Sequence, residues 1–242
     1  MNATVVRLTA RSLLGRRRAL FLLALPAVLI GLALVSRAAS GTDDGVALAL
    51  VGGFGLGTIV PLVALLAGTG SIGPEIDDGS IVYLLSTPIS RGTIVLSKLA
   101  VAVGAALLIG ALPVLAAMFV LAASPGRLAV PYAAGAAAAS VTYVALFLLL
   151  AVLTRNAVIA GLLYAVIWET TVAGLVPGAQ DLSVRQWSLA LTEHLMGADA
   201  AALGVEAAVG PVTGAVALAL VTVAATSYAG RRLRTLPLTG PE

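Results

Sequence analysis

Residues 73–98, GPEIDDGSIVYLLSTPISRGTIVLSK, separate two long apolar runs and decide how the chain on either side is read. Pro74 suits the first turn of a helix, where its missing N–H costs nothing. Glu75, Asp77 and Asp78 then place negative charge at that helix's positive end. Gly79 follows, and Ile81, Val82, Tyr83, Leu84 and Leu85 form a compact apolar patch before Pro88 closes the helix. Ser90 has the chemistry of an N-cap for the next helix, which Arg91 and Lys98 carry into the following apolar run. The segment predicts a short helix outside the bilayer, acidic at its start and apolar in its middle, shaped to be gripped by another protein.

Composition sets the surroundings. The chain has 242 residues, 60% hydrophobic and 10% charged, with a mean hydropathy of +1.08. Soluble domains carry about 25% charged residues, so an ordinary globular protein is excluded and a multi-pass membrane protein is predicted. The net charge of +3 reads as topology information rather than as a nucleic-acid footprint. No cysteine is present, which excludes disulfide and thiolate chemistry. Thirteen of the fourteen basic residues are Arg, a bias that suggests a GC-rich bacterial genome.

A bilayer crossing takes about 20 apolar residues. By that measure six spans are expected, at about 19–36, 46–72, 99–123, 131–153, 158–176 and 211–229, within one permease domain covering 1–242. Residues 1–18 carry Arg7, Arg11, Arg16, Arg17 and Arg18. On a helix, Arg7, Arg11 and Arg18 share a face, with Val5, Thr9 and Leu13 opposite, so this part is expected to lie along the membrane interface. A disordered basic tail and a signal peptide are the alternatives. With six spans, eleven basic residues fall on the side of both termini and only Arg37, Arg127 and Arg185 on the other. The positive-inside rule then places both termini and residues 73–98 in the cytoplasm.

The glycine string 52–57, GGFGLG, has no strand before it and would lie in hydrocarbon, so close helix packing is expected, with bending at Pro61. AAGAAAAS, 133–140, is similarly smooth. Glu169, beside Trp168 late in the fifth span, is a charge at membrane depth. It is either a lining residue of a translocation route or outer gate, or a structural hydrogen-bonding group. In the outer segment 177–210, Val184, Trp187, Leu191 and Leu195 form one apolar stripe, while Asp181, Arg185, Thr192 and Glu193 take other faces. An interfacial or re-entrant helix over the outer mouth is expected. His194 is the only histidine and has no second ligand at metal-binding spacing.

The spacing E-x3-G-S-x4-L-S-T-P-x-S-R-x6-K, from Glu75 to Lys98, resembles the pattern after the second span in permease subunits of the type 2 ATP-binding-cassette exporters. Ser80 stands where Thr is commoner. The topology and the segment from Trp168 to Trp187 are also similar to bacterial members. The resemblance implies a dimer of this chain, each copy docking one of two cytoplasmic ATPase subunits through a coupling helix at about 75–87. Glu75, Asp77, Asp78, Gly79, Ile81, Val82, Tyr83, Leu84, Leu85, Pro88 and Arg91 are the coupling candidates. It also implies residence in a bacterial plasma membrane, in contact with lipid. ATP and magnesium would be held by the partner. This chain has no G-x-x-x-x-G-K-[ST] and is expected to bind no cofactor or metal, no nucleic acid, and to catalyse nothing itself.

Two other classes compete. An intramembrane enzyme needs a nucleophile–base pair or a metal cluster on facing spans, and a lone Glu169 makes neither. A proton-driven secondary transporter would show internal repeats with broken helices, and no convincing halves are seen. The apolar interior suits an amphipathic or lipid-like cargo, such as a drug or antibiotic.

Overall fold

The computed structural model describes residues 3–13, 15–80, 90–176 and 178–234. Among them there is no strand, and six helices are long and apolar enough to cross a membrane: Leu20–Ser40, Asp44–Ile76, Arg91–Leu121, Pro125–Leu153, Ala157–Leu175 and Pro211–Leu233. These are spans 1 to 6. The all-helical membrane architecture expected from composition is present. Several spans are longer than the apolar runs suggested, because their ends carry charged residues with partners inside the protein.

Spans 2 and 4 form the centre. Of their most apolar windows, 56% and 61% are buried, against 22–28% in the other four. A Cβ on Gly68 in span 2 would lie 2.9 Å from the Val144 carbonyl oxygen and 3.0 Å from the Phe147 Cβ in span 4. Only glycine allows that approach, which is how helices gain packing energy in lipid. Thr142 of span 4 meets Thr222 of span 6, hydroxyl to hydroxyl at 3.0 Å.

The glycine string does face neighbours: Gly52 lies under Tyr132, Gly55 beside Leu29 and Val114, and Gly57 under Arg185. What the sequence did not announce is the winding there. Leu48–Ile59 is π-helical, as are Leu107–Ala111 in span 3 and Tyr164–Val172 in span 5. In the first two, α-helix resumes with a proline, Pro61 or Pro113, in its first turn. A proline ring collides with the carbonyl four residues back, and a widened turn before it relieves the collision.

On one side of the molecule, the loop between spans 1 and 2 is tied to the loop between spans 3 and 4. Asp43 caps span 2 by accepting from Val46 N at 2.8 Å. Its own N–H donates to Leu121 O, and Ser124 N donates to Asp44 Oδ1 at 3.0 Å. On the opposite side, the amino-terminal helix Ala3–Leu13 packs against spans 2 and 3. Val5, Thr9 and Leu13 are buried and Arg7 and Arg11 are exposed, the division of faces predicted by helical spacing. The helix stops at Leu13, however. Arg16, Arg17 and Arg18 open the next helix, Arg16–Ser40, rather than closing this one.

The outer segment corrects one expectation. Its helix, Val184–Met196, buries Val184, Trp187, Ser188, Ala190, Thr192 and Met196, while Leu195 is half exposed. The buried face keeps Val184 and Trp187 of the expected stripe but is wider than it, taking in Thr192 and leaving out Leu195, because the helix wedges between spans 4 and 6. Small groups decide the contact there. Thr192 and Ser188 press on Gly135, and the Trp187 carbonyl and Ala190 on Gly214, where added Cβ atoms would meet atoms at 3.0 Å or less. Thr192 satisfies its hydroxyl on Ser188 O at 3.0 Å, so a polar residue is accommodated in this buried contact.

Candidate functional site

Two polar clusters stand out, one at each end of the bundle. The first brackets the segment singled out by the sequence. Span 2 does not end before Pro74: its helix runs through Val60–Asp77 with Pro74 inside it. Glu75, Asp77 and Asp78 therefore lie at the carboxyl end of a helix, not at the amino end of a new one, and the favourable helix-dipole reading is overturned. A distant partner compensates. Lys98, 1% exposed in span 3, donates from Nζ to Glu75 Oε1 at 2.7 Å and lies 2.6 Å from Oε2. The same Nζ donates to Ser71 O at 2.7 Å, one residue from the carbonyl position that Pro74 cannot serve. The ammonium thus pairs the acid and clamps the proline-weakened last turn.

Asp78 is fully exposed and accepts from Ser80 N at 3.0 Å. Side-chain and then backbone hydrogen bonding from Ser80 holds its carboxyl below the ordinary carboxylate value. Gly79 takes the left-handed φ of +74° that ends the helix. Ile81, Val82, Tyr83, Leu84, Leu85 and Pro88 lie outside the described residues. The chain re-enters the description at Ser90, whose hydroxyl accepts from Thr93 N at 3.2 Å, the N-cap expected from its chemistry. Arg91 points along the bundle: its Nη1 donates to Leu233 O at 2.8 Å, capping the carboxyl end of span 6 with a cation. Both ends of the 77–90 segment are therefore fastened, one to span 3 and the other to span 6.

The second cluster is built on Glu169, 1% exposed within the π-helical part of span 5. The wide winding brings residues five apart nearly into line, and Tyr164 OH donates to Oε1 at 2.9 Å. Ser183 Oγ donates to Oε2 at 2.5 Å, Val184 N to Oε1 at 3.0 Å and Arg185 N to Oε2 at 3.4 Å. The carboxylate thus sits on the amino end of the outer helix, where backbone N–H groups and the helix dipole favour a negative charge. Ser183 relays the cap, accepting from Gln186 N at 3.2 Å. Trp168 Nε1 donates to Leu182 O at 3.4 Å and Trp187 Nε1 to Asp181 O at 2.8 Å, pinning the approach to the helix. Tyr164 is held by Phe147, edge to face at 6.1 Å, and Phe147 stacks on Tyr143 at 5.9 Å.

Sequence reasoning selected Glu75 and Lys98 as members of one spacing without pairing them, although an acid and the chain's only lysine flanking one loop is a signal for such a pair. It selected Glu169 and Trp168, but not Tyr164, Ser183 or the helix terminus that answers them. His194 is exposed, and among the described residues no group of His, Cys, Asp and Glu could hold a metal ion.

The model of the ABC-2 family transporter protein matches residues 19–179, about two thirds of the chain and five of its six spans. The chain belongs to this family. It is accordingly a multi-pass membrane permease of ABC-2 type, a transport component, and the family implies an ATPase partner and typically a dimer. No individual curated protein matches it. In this ABC-2 permease, the matched residues include the whole 73–98 segment and Glu169.

Proposed function

We propose that this permease is the membrane half of an ATP-driven exporter of amphipathic or lipid-like compounds. It works as two copies with two cytoplasmic ATPase subunits that hold the ATP and magnesium. Both termini and residues 73–98 face the cytoplasm of a bacterial cell, as eleven basic residues against three argue. The ATPase grips the apolar patch around Leu84 and Leu85, and its closure moves the segment. One observation carries this reading: the segment's two ends are bound into the bundle by Glu75–Lys98 and by Arg91–Leu233. A push delivered at these two ends therefore reaches spans 2, 3 and 6 together.

At the other end, the Glu169 cluster with Trp168 serves as the outer gate's fastening. It joins span 5 to the helix wedged between spans 4 and 6, so tilting of span 5 moves that wedge. The direct test is co-purification. Leu84→Asp or Leu85→Asp is expected to leave membrane insertion intact and to abolish recovery of the ATPase subunit. Undiminished recovery would contradict the docking assignment.

A further inference from the structure

Two adjoining cavities run along spans 1, 2 and 5 from the side of the molecule that carries the loop between spans 4 and 5. The one nearer the loop has a volume of about 150 Å³ and is lined by Thr69, Gly73, Pro74, Thr154 and Arg155, with Leu13 of the amino-terminal helix alongside. The second, of about 300 Å³, is lined by Ala24, Leu25, Val28, Leu62, Leu65 and Leu162. Phe21, Leu66 and Val158 line both.

The two ends differ in chemistry. None of the described residues lining the first is a carboxylate, and Glu75, next to Pro74, is paired with Lys98. Arg155 is exposed and makes no hydrogen bond or ion pair with the described residues. An exposed guanidinium with five donors and no acidic partner among the described residues is available to an anion. The second is hydrocarbon throughout, and from Phe21 to Val28 it follows span 1 for about 10 Å at the helical rise. It is open to lipid at its side: Phe21 is 69% exposed, and Val28, Val158 and Leu162 are about half exposed. A soluble anion would leave the apolar part unfilled, and an uncharged lipid would leave Arg155 unanswered.

We infer that this cleft is a binding site for one anionic phospholipid of the adjacent leaflet, with its phosphate at Arg155 and an acyl chain along Phe21, Leu66 and Val158. That the leaflet is the cytoplasmic one follows from the proposed orientation; the site itself stands without the export reading. The lipid would rest against Gly73 and Pro74, at the root of the segment that Lys98 clamps.

The test uses the full chain in phosphatidylcholine vesicles doped with spin-labelled phosphatidylglycerol or, separately, spin-labelled phosphatidylcholine, and reads the immobilised fraction of label. The wild type is expected to prefer phosphatidylglycerol, and Arg155→Gln to weaken that preference about five-fold, the worth of one cation near an anionic surface. Val158→Trp, at a half-exposed position that leaves the core alone, is expected to lower retention of both lipids. Arg231→Gln, a basic residue on a different part of the same face, should change neither. Glycerol phosphate, which has the head without the tail, should not displace the label. An unchanged preference in Arg155→Gln, an equal loss in Arg231→Gln, or displacement by glycerol phosphate would each overturn the assignment. The last would mark a soluble-anion site instead.

Discussion

Lys98 is the chain's only lysine, and it is placed where an unpaired charge is most costly. Removing one partner of a buried ion pair commonly costs about 3–5 kcal/mol, because the other charge is left stranded. Lys98→Met is therefore expected to destabilise the purified protein strongly, while Lys98→Met with Glu75→Gln recovers much of the loss. Chemical unfolding in detergent checks this, and a double variant no better than the single one would show that the pair does not act as a unit. Glu169 gives a parallel case. Glu169→Ala strands the Ser183 hydroxyl, two backbone N–H groups and the Tyr164 hydroxyl, at about 1–3 kcal/mol for a buried group left unsatisfied. Glu169→Gln keeps an acceptor and should cost less. Protease cleavage near residues 178–183 should rise in the first variant and much less in the second. Asp78 belongs to the same scale with the opposite weight. Its hydrogen bonds with Ser80 lower its pKa on folding, so the turn they stabilise is intact above the unfolded carboxylate value and lost as pH falls through the lowered one. An NMR titration of Asp78 should show that low midpoint, with no effect on the spans.

At the scale of elements, contact distance decides which glycines matter. Gly68→Val would drive a side chain into the Val144 carbonyl, and backbone is slow to yield, so a loss of folded protein is expected from overpacking. Gly104 in span 3 has nothing within 4 Å of a Cβ. Gly104→Ala should be neutral or raise stability by up to about 1 kcal/mol, through the lower entropy cost of ordering the helix. Thermal melts of the two variants side by side make the comparison. The contrast also marks how far local rules reach. Six spans were legible because lipid demands long apolar runs, and the faces of the amino-terminal helix because Val5, Thr9 and Leu13 recur at helical spacing. Pro74 misled because Lys98, which pairs with Glu75 from 23 residues away, clamps the turn, and helix-start chemistry contains no term for a distant ammonium. The burial of Thr192 on the outer helix was hidden for a similar reason. Thr192 is buried by Gly135 of span 4, and nothing in the helix's own stripe announces that glycine. The π-helical stretches left only a trace, Pro61 and Pro113 at the points where α-helix resumes.

Across the whole molecule, two fastened ends are joined through a central pair of spans. In the proposed coupling, force entering at residues 77–90 would pass to spans 2, 3 and 6, while span 5 carries the Glu169 fastening on the far side. Spans 2 and 4, the most buried, form the packed centre of the bundle. The arrangement requires that the 77–90 segment lie in the cytoplasm against an ATPase. The absence of native cysteine makes this directly measurable, since a single Ser86→Cys variant carries the only thiol. In intact cells, that thiol is predicted to resist membrane-impermeant maleimide and to cross-link to the ATPase subunit in inverted membranes. Labelling from the outside would contradict the account.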